Sequence, residues 1–329
     1  MANKITIGKE SFVVVDTKEK MTVADSFVMP SNKLGSGNGE AKFYVGNDGV
    51  EVRDFFGPQG FSINCFMLRD DLLKYLAATE PEYRKPEQPY RRAAQLPRLW
   101  QERVEKIRKL PEIVSFTAQE QTQIGGPRVY INAQGNPYYA LIREVSLPNI
   151  TYIAAIKLQD ADGSFRYYLR LFVDYFGNHE HPSAAAEAEA EIASENIPAT
   201  EKDQLSKARI GQGKYREALL HECPFCPITM VSDDRLLIAS HIKPWKYSSD
   251  AERLDPKNGL LLTPTYDKLF DLGLITFDND KRMLVSPFLS RMTCSKLGLV
   301  DKRVITHLPL DGRKTYMEYH REVKFNRAG

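Results

Sequence analysis

The sequence predicts an α+β protein built as two domains. Three observations carry that expectation: strand-like segments in which β-branched and aromatic residues alternate with polar ones, one helical segment with a single apolar face, and an Ala/Glu stretch that divides the chain. The division gives an N-terminal mixed α+β domain of unassigned fold over 1–176, a linker over 177–205 and a C-terminal domain over 206–329. With 42% hydrophobic and 27% charged residues, the chain has apolar mass for two modest cores.

In the first domain, ITIGKESFVVVD, AKFYVGNDGVEVRDFF and TYIAAIKLQDADGSFRYYLRLFVDYF read as strands. Asn47-Asp48-Gly49 and Asp160-Ala161-Asp162-Gly163 read as hairpin turns. LPRLWQERVEKIRKL, 96–110, reads as a helix. Leu96, Leu99, Trp100, Val104 and Ile107 share one face, with Arg103, Lys106, Arg108 and Lys109 largely elsewhere. The linker core AAAEAEAEIASE has few residues to bury. Beyond it, SKARIGQGKYREALLHE (206–222) reads as a basic helix and CPFCPITM as a turn. RLLIASHIKPW, NGLLLTPT and LITFDNDKRMLVSP read as short strands or loops, and YDKLFDLG as a helical segment ending at Gly273.

Composition narrows the function classes. No run approaches the roughly 18 apolar residues of a membrane span, and MANKITIGKE has no apolar leader core, so a cytoplasmic protein without a membrane partner is expected. Four cysteines do not make a disulfide framework. From residue 201 onward there are 22 Lys and Arg against 17 Asp and Glu, whereas the first 200 residues hold 23 against 26. The basic half suits a polyanion.

The chemistry concentrates there too. His241 ends the apolar run LLIAS, and seventeen residues later Asn258-Gly259 opens the strand LLL. Asp267 follows, with Asp271 four positions on, so the two carboxylates share one helical face and can chelate one hard cation such as Mg²⁺ or Mn²⁺. A histidine beside such an ion is suited to take a proton from water attacking phosphorus.

ASHIKPW, NGLLL and DKLFDLG together resemble the HNH endonucleases, most specifically over 223–275, and YMEYHREVKF (316–325) resembles the tail of restriction-type members. The resemblance implies a ββα-metal domain that cleaves double-stranded DNA, leaving 5′-phosphate and 3′-hydroxyl ends. It makes His241 the general base and Asn258 the residue that holds the hairpin loop and orients the base or meets the metal. Asp267 falls on the third, usually histidine, position and Asp271 on the following ligand position. Ser240 stands where many relatives carry Asp or His, so it enters as a candidate ligand. Oxygen ligands favour Mg²⁺ or Mn²⁺ over softer metals.

Lys243 and Lys246 read as a phosphate-contacting rim beside Trp245, and Lys207, Arg209, Lys214 and Arg216 as the wall of a DNA groove. Cys223 and Cys226 have the spacing of half a structural zinc site, but no second pair accompanies them. They are read as small packed side chains, with a Cys₃His site using His221 or His307 as the alternative. One ββα-metal site cuts one strand, so a homodimer is expected. The N-terminal domain is read as choosing the target in a restriction enzyme. The alternative is a sensor that licenses non-specific degradation in an antiphage response.

Overall fold

The computed structural model of the protein describes residues 4–22, 42–88, 90, 93–121, 126–133, 135–147, 150–173, 175 and 215–327. The chain divides into two units, Met1–Ala188 and Glu189–Arg327. The predicted linker lies outside the described residues.

The first unit is one mixed sheet with helices on it. Its elements are β1 (Lys4–Ile7), β2 (Glu10–Thr22), β3 (Phe43–Asn47), α1 (Val50–Phe56), β4 (Ser62–Leu68), α2 (Arg69–Arg84), α3 (Leu96–Arg108), β5 (Ile113–Gln121), β6 (Arg128–Asn132), α4 (Pro137–Val145), β7 (Thr151–Gln159) and β8 (Phe165–Val173). The strand order is β1-β2-β7-β8-β4-β5-β6-β3, and only β4 and β8 run parallel. The sheet curls until its β3 edge comes back against β2. Leu72, Tyr75 and Leu76 of α2, Leu96 and Ile107 of α3 and Ile142 of α4 close over Ile63, Cys65, Phe116 and Leu169.

The two turn signals have different outcomes. Asp160–Gly163 joins β7 to β8 as a hairpin, with Gly163 at φ 88°. Asn47-Asp48-Gly49 does not make a hairpin: it turns β3 into α1, while β3 pairs with β6. Long-range pairs override the local signal, since Asp48 N–H donates to Pro127 O at 2.5 Å and Arg53 bridges Asp48 and Glu120. The helix expected at 96–110 forms with the expected apolar face, but Arg103 is buried with it.

The second unit starts with helical residues 215–222 (α5). It continues through β9 (Ile238–His241), α6 (Asp250–Leu254), β10 (Gly259–Leu262), α7 (Pro264–Asp271), β11 (Ile275–Phe277), β12 (Met283–Val285), α8 (Arg291–Lys296) and α9 (Lys314–Tyr319), which runs on as a π-helical turn over His320–Lys324. β9 and β10 form an antiparallel hairpin, β11 and β12 a second. Leu219, Leu260, Leu262, Phe270, Phe277, Met283 and Met317 meet in its core.

The tail locks α7 in place. Gly273 ends the helix at φ 62°, and a Cβ there would sit 2.0 Å from Lys324 O. Asn326 Nδ2 donates to Leu272 O at 2.8 Å, and Asn326 N to Gly273 O at 2.8 Å. The His320 ring stacks on Phe270 at 3.8 Å and 5°. Its Nε2 faces Phe270 O at 3.0 Å, and its Nδ1 faces the Thr276 hydroxyl at 2.9 Å. A carbonyl only accepts, so Nε2 carries a proton.

Burial pushes the His320 pKa down to about 3, with the Phe270 carbonyl opposing and Lys324 and Arg321 adding to the fall. The unfolded group titrates near 6.5, so its contribution is full above that pH and is lost as pH falls toward 3. Urea denaturation of the full chain should show this group alone costing about 2 kcal/mol between pH 7 and pH 5. His320→Gln should flatten that dependence.

Candidate active site

The β9–β10 hairpin places the site. Gly259 pairs with His241 and Leu260 with Ser240. Successive side chains leave a strand on opposite faces, so Ser240 meets Asp267 while His241 meets Tyr215.

His241 is held on three sides. Its ring stacks on Tyr215 at 4.3 Å and 9°, and Trp245 stands edge-on at 5.5 Å and 87°. Nε2 lies 3.0 Å from the Arg253 carbonyl. The carbonyl can only accept, so Nε2 carries the proton and the Nδ1 lone pair is left without a partner among the described residues. Burial lowers the His241 pKa, partly opposed by that carbonyl. At neutral pH the ring is therefore uncharged and able to accept a proton.

Arg253 is presented by α6, which begins at a capping box. Ser249 accepts from Glu252 N at 3.4 Å, and the Glu252 carboxylate accepts from Ser249 N at 2.8 Å. Asn258 fastens this loop to β10. Fully buried, its Oδ1 accepts from Lys243 N at 2.8 Å, while Nδ2 donates to Lys243 O at 3.2 Å, Ser248 Oγ at 3.2 Å and Glu252 O at 3.0 Å. Its amide is spent in the loop, in keeping with the expected role of holding the hairpin.

Tyr215 joins the two layers. Its hydroxyl donates to Asn258 O at 3.0 Å, and a Cβ on Gly259 would stand 2.0 Å from that hydroxyl. Arg313, fully buried, donates to Gly259 O at 2.9 Å and Pro256 O at 3.1 Å and pairs with Glu222 at 2.7 Å. Burial works against ionisation of Glu222, yet Lys257 and Arg313 hold its pKa below the ordinary range. Neither Tyr215 nor Arg313 stands out in the sequence. Asn258-Gly259 is the one local sign that something packs closely there.

Asp267 sits in the first turn of α7, half buried. Burial raises its pKa, opposed by Ser240 and Lys268. Ser240 Oγ lies near enough to favour the ionised carboxylate, yet it has no hydrogen bond of ordinary geometry and is itself buried. Two oxygen donors, one an orphaned buried hydroxyl, fit a hard divalent cation that retains water and accepts phosphate oxygen.

Other candidates fall elsewhere. Asp271 is exposed at the end of α7, and no three His, Cys, Asp or Glu side chains among the described residues gather as a metal cluster. Lys243 is not a free phosphate contact: its ammonium pairs with both Glu252 oxygens at 2.8 and 2.7 Å. Arg216 is tied to Leu237 O at 2.8 Å and Asp234 O at 2.5 Å, so it props the approach to β9. A sequence shows charge but not the acceptors that satisfy it. Lys246 lies in the 3₁₀ turn Trp245–Tyr247, its side chain outside the described part, as are Lys207, Arg209 and Lys214. Cys226 packs in the core, and Cys223 Sγ donates to Phe225 O at 3.6 Å.

A hairpin ending in His241, followed by a helix that brings Asp267 to Ser240, is the arrangement the sequence resemblance implied. Residues 226–278 match the model of the HNH endonuclease family. No curated protein matches the chain. The C-terminal unit contains an HNH endonuclease domain, and the protein is a nuclease, a hydrolase whose substrate is DNA. Nucleases of this family generally use a divalent metal ion. No helix among the described residues is long and apolar enough to cross a membrane.

Gly259→Ala should displace Tyr215 and destabilise the protein by about 1–3 kcal/mol, read by denaturant unfolding, with nuclease activity falling alongside. Lys243→Ala and Glu252→Gln should lower activity by similar factors, because they break one strut. The salt slope of DNA binding should stay the same in both, which a phosphate-contacting lysine would not allow.

Proposed function

We propose that the protein is a restriction-type endonuclease, in which the HNH domain hydrolyses one DNA strand per site and the N-terminal unit chooses the target. The observation that carries the catalytic reading is the unpartnered Nδ1 of His241, whose tautomer is set by the Arg253 carbonyl. Nδ1 takes the proton of the attacking water. Tyr215 and Trp245 keep the ring from turning away. Asp267, with Ser240 beside it, holds Mg²⁺ or Mn²⁺. When bound, the ion supplies positive charge that stabilises the transition state at phosphorus and the departing 3′ oxygen. Asn258 acts as a positioning residue through the loop it ties down. Two copies acting together would give a double-strand cut.

The second reading is an effector nuclease for antiphage defence, whose first unit senses a ligand and licenses non-specific degradation. The slight excess of acids over bases in the first 200 residues favours it, because surfaces that read bases are usually basic.

Plasmid DNA, unmodified or carrying modified cytosines, distinguishes the two readings when incubated with Mg²⁺ or Mn²⁺. A restriction enzyme gives discrete fragments from one of the substrates, whereas an effector leaves both intact until its ligand is added. His241→Ala should lower cleavage by about 10²–10⁴-fold, the usual worth of a general base, without weakening DNA binding. Because the His241 pKa is depressed, the acid limb of the pH–rate profile should fall below pH 6.5. Cleavage at the wild-type rate in His241→Ala would remove the base from the mechanism.

A further inference from the structure

The buried side of α3 carries a cation that no carboxylate among the described residues neutralises. Arg103 is 2% exposed. Its Nη1 donates to the Tyr83 hydroxyl, and the guanidinium carbon lies 5.4 Å from the Tyr83 ring centre. Nε and Nη2 are buried with no hydrogen-bond partner. Glu144, which acts electrostatically on Tyr83, is engaged by Lys106. No carboxylate among the described residues pairs with Arg103. The other two arginines buried among the described residues are both paired, Arg313 with Glu222 at 2.7 Å and Arg170 with Asp71 at 3.4 Å.

The unsatisfied atoms are not a random pair. Nε–H and Nη2–H lie on one edge of the planar guanidinium and point nearly parallel, the fork that takes both oxygens of a carboxylate or phosphate. The nearby hydroxyls cannot turn to fill it. Tyr83 accepts from Arg103 and donates to Val145 O at 3.0 Å. Tyr75, close enough for Arg103 to act on its charge, accepts from Leu147 N at 2.9 Å and meets Thr151 Oγ1 at 2.6 Å. Thr151 gives its own proton to Leu147 O at 2.6 Å, so the proton between it and Tyr75 is the tyrosine's. An isolated buried cation is costly, and a matched anion is the economical way to remove that cost.

We propose that α2, α3 and α4 enclose a binding site for a small oxyanion, a carboxylate or a phosphate group, held in two-point contact by Nε and Nη2 of Arg103. The site belongs to the N-terminal unit and does not depend on how the nuclease domain works. It gives that unit a ligand chemistry of its own.

Calorimetric melting of the full-length protein tests the site, in sodium chloride, sodium phosphate and sodium acetate matched for ionic strength. Arg103→Lys and Arg103→Met are melted beside the wild type. The recognised anion should raise the wild-type transition by about 3–5 °C for each tenfold increase above its dissociation constant. Arg103→Lys, which keeps the charge and loses the fork, should gain less, and Arg103→Met nothing. A shift with phosphate alone assigns a phosphoryl ligand, one with acetate alone a carboxylate, and one with both the shared oxyanion chemistry. No shift beyond chloride overturns the site, leaving Arg103 to trapped water. An equal shift in Arg103→Met overturns it as an adventitious ion only. Should Arg103→Met fail to fold, titration calorimetry of both anions into wild type and Arg103→Lys decides. At least tenfold weaker binding in Arg103→Lys supports the site, and equal binding overturns it.

Discussion

One primary amide fixes the geometry of the hairpin tip. Asn258 accepts from the Lys243 backbone and shares its two hydrogens among Lys243 O, Ser248 Oγ and Glu252 O. Those contacts set where the chain returns between β9 and β10. They thereby place α6, whose Arg253 carbonyl in turn decides which nitrogen of His241 keeps its proton. An aspartate of the same shape would lose the donors, and an alanine would leave buried backbone groups unsatisfied. The path from sequence to chemistry runs through this side chain.

The support beneath the tip comes from residues distant in sequence. Arg313 and Tyr215 close over the backbone at Gly259, where no side chain fits, and the tail around His320 and Asn326 fastens the end of the helix that brings Asp267 to Ser240. A histidine and a carboxylate on short, tightly tied elements need little reorganisation to act together. The same tying consumes charge. Lys243 and Arg216 hold the loop and the approach to β9.

The fold and site were unequally legible in the sequence. Strand alternation, the DADG turn and the helix ending at Gly273 were readable because each is decided by neighbours within a few residues. The HNH spacing was readable because hairpin and helix fix the intervals between its residues. Asn47-Asp48-Gly49 misled because pairing with β6 and the Arg53 bridges outweigh turn propensity. The i, i+4 spacing of Asp267 and Asp271 sets a shared helical face, but not where Ser240 lies relative to each carboxylate. The burial of Arg103 was hidden because a cation on an amphipathic helix ordinarily faces water.

The central claim is that a backbone carbonyl presents His241 as a neutral base through Nδ1. ¹⁵N nuclear magnetic resonance of the His241 ring in the full-length protein tests it directly at pH 7. The account predicts the Nε2–H tautomer, with Nδ1 showing the shift of an unprotonated nitrogen. A proton found on Nδ1, or a ring still charged at that pH, would contradict it.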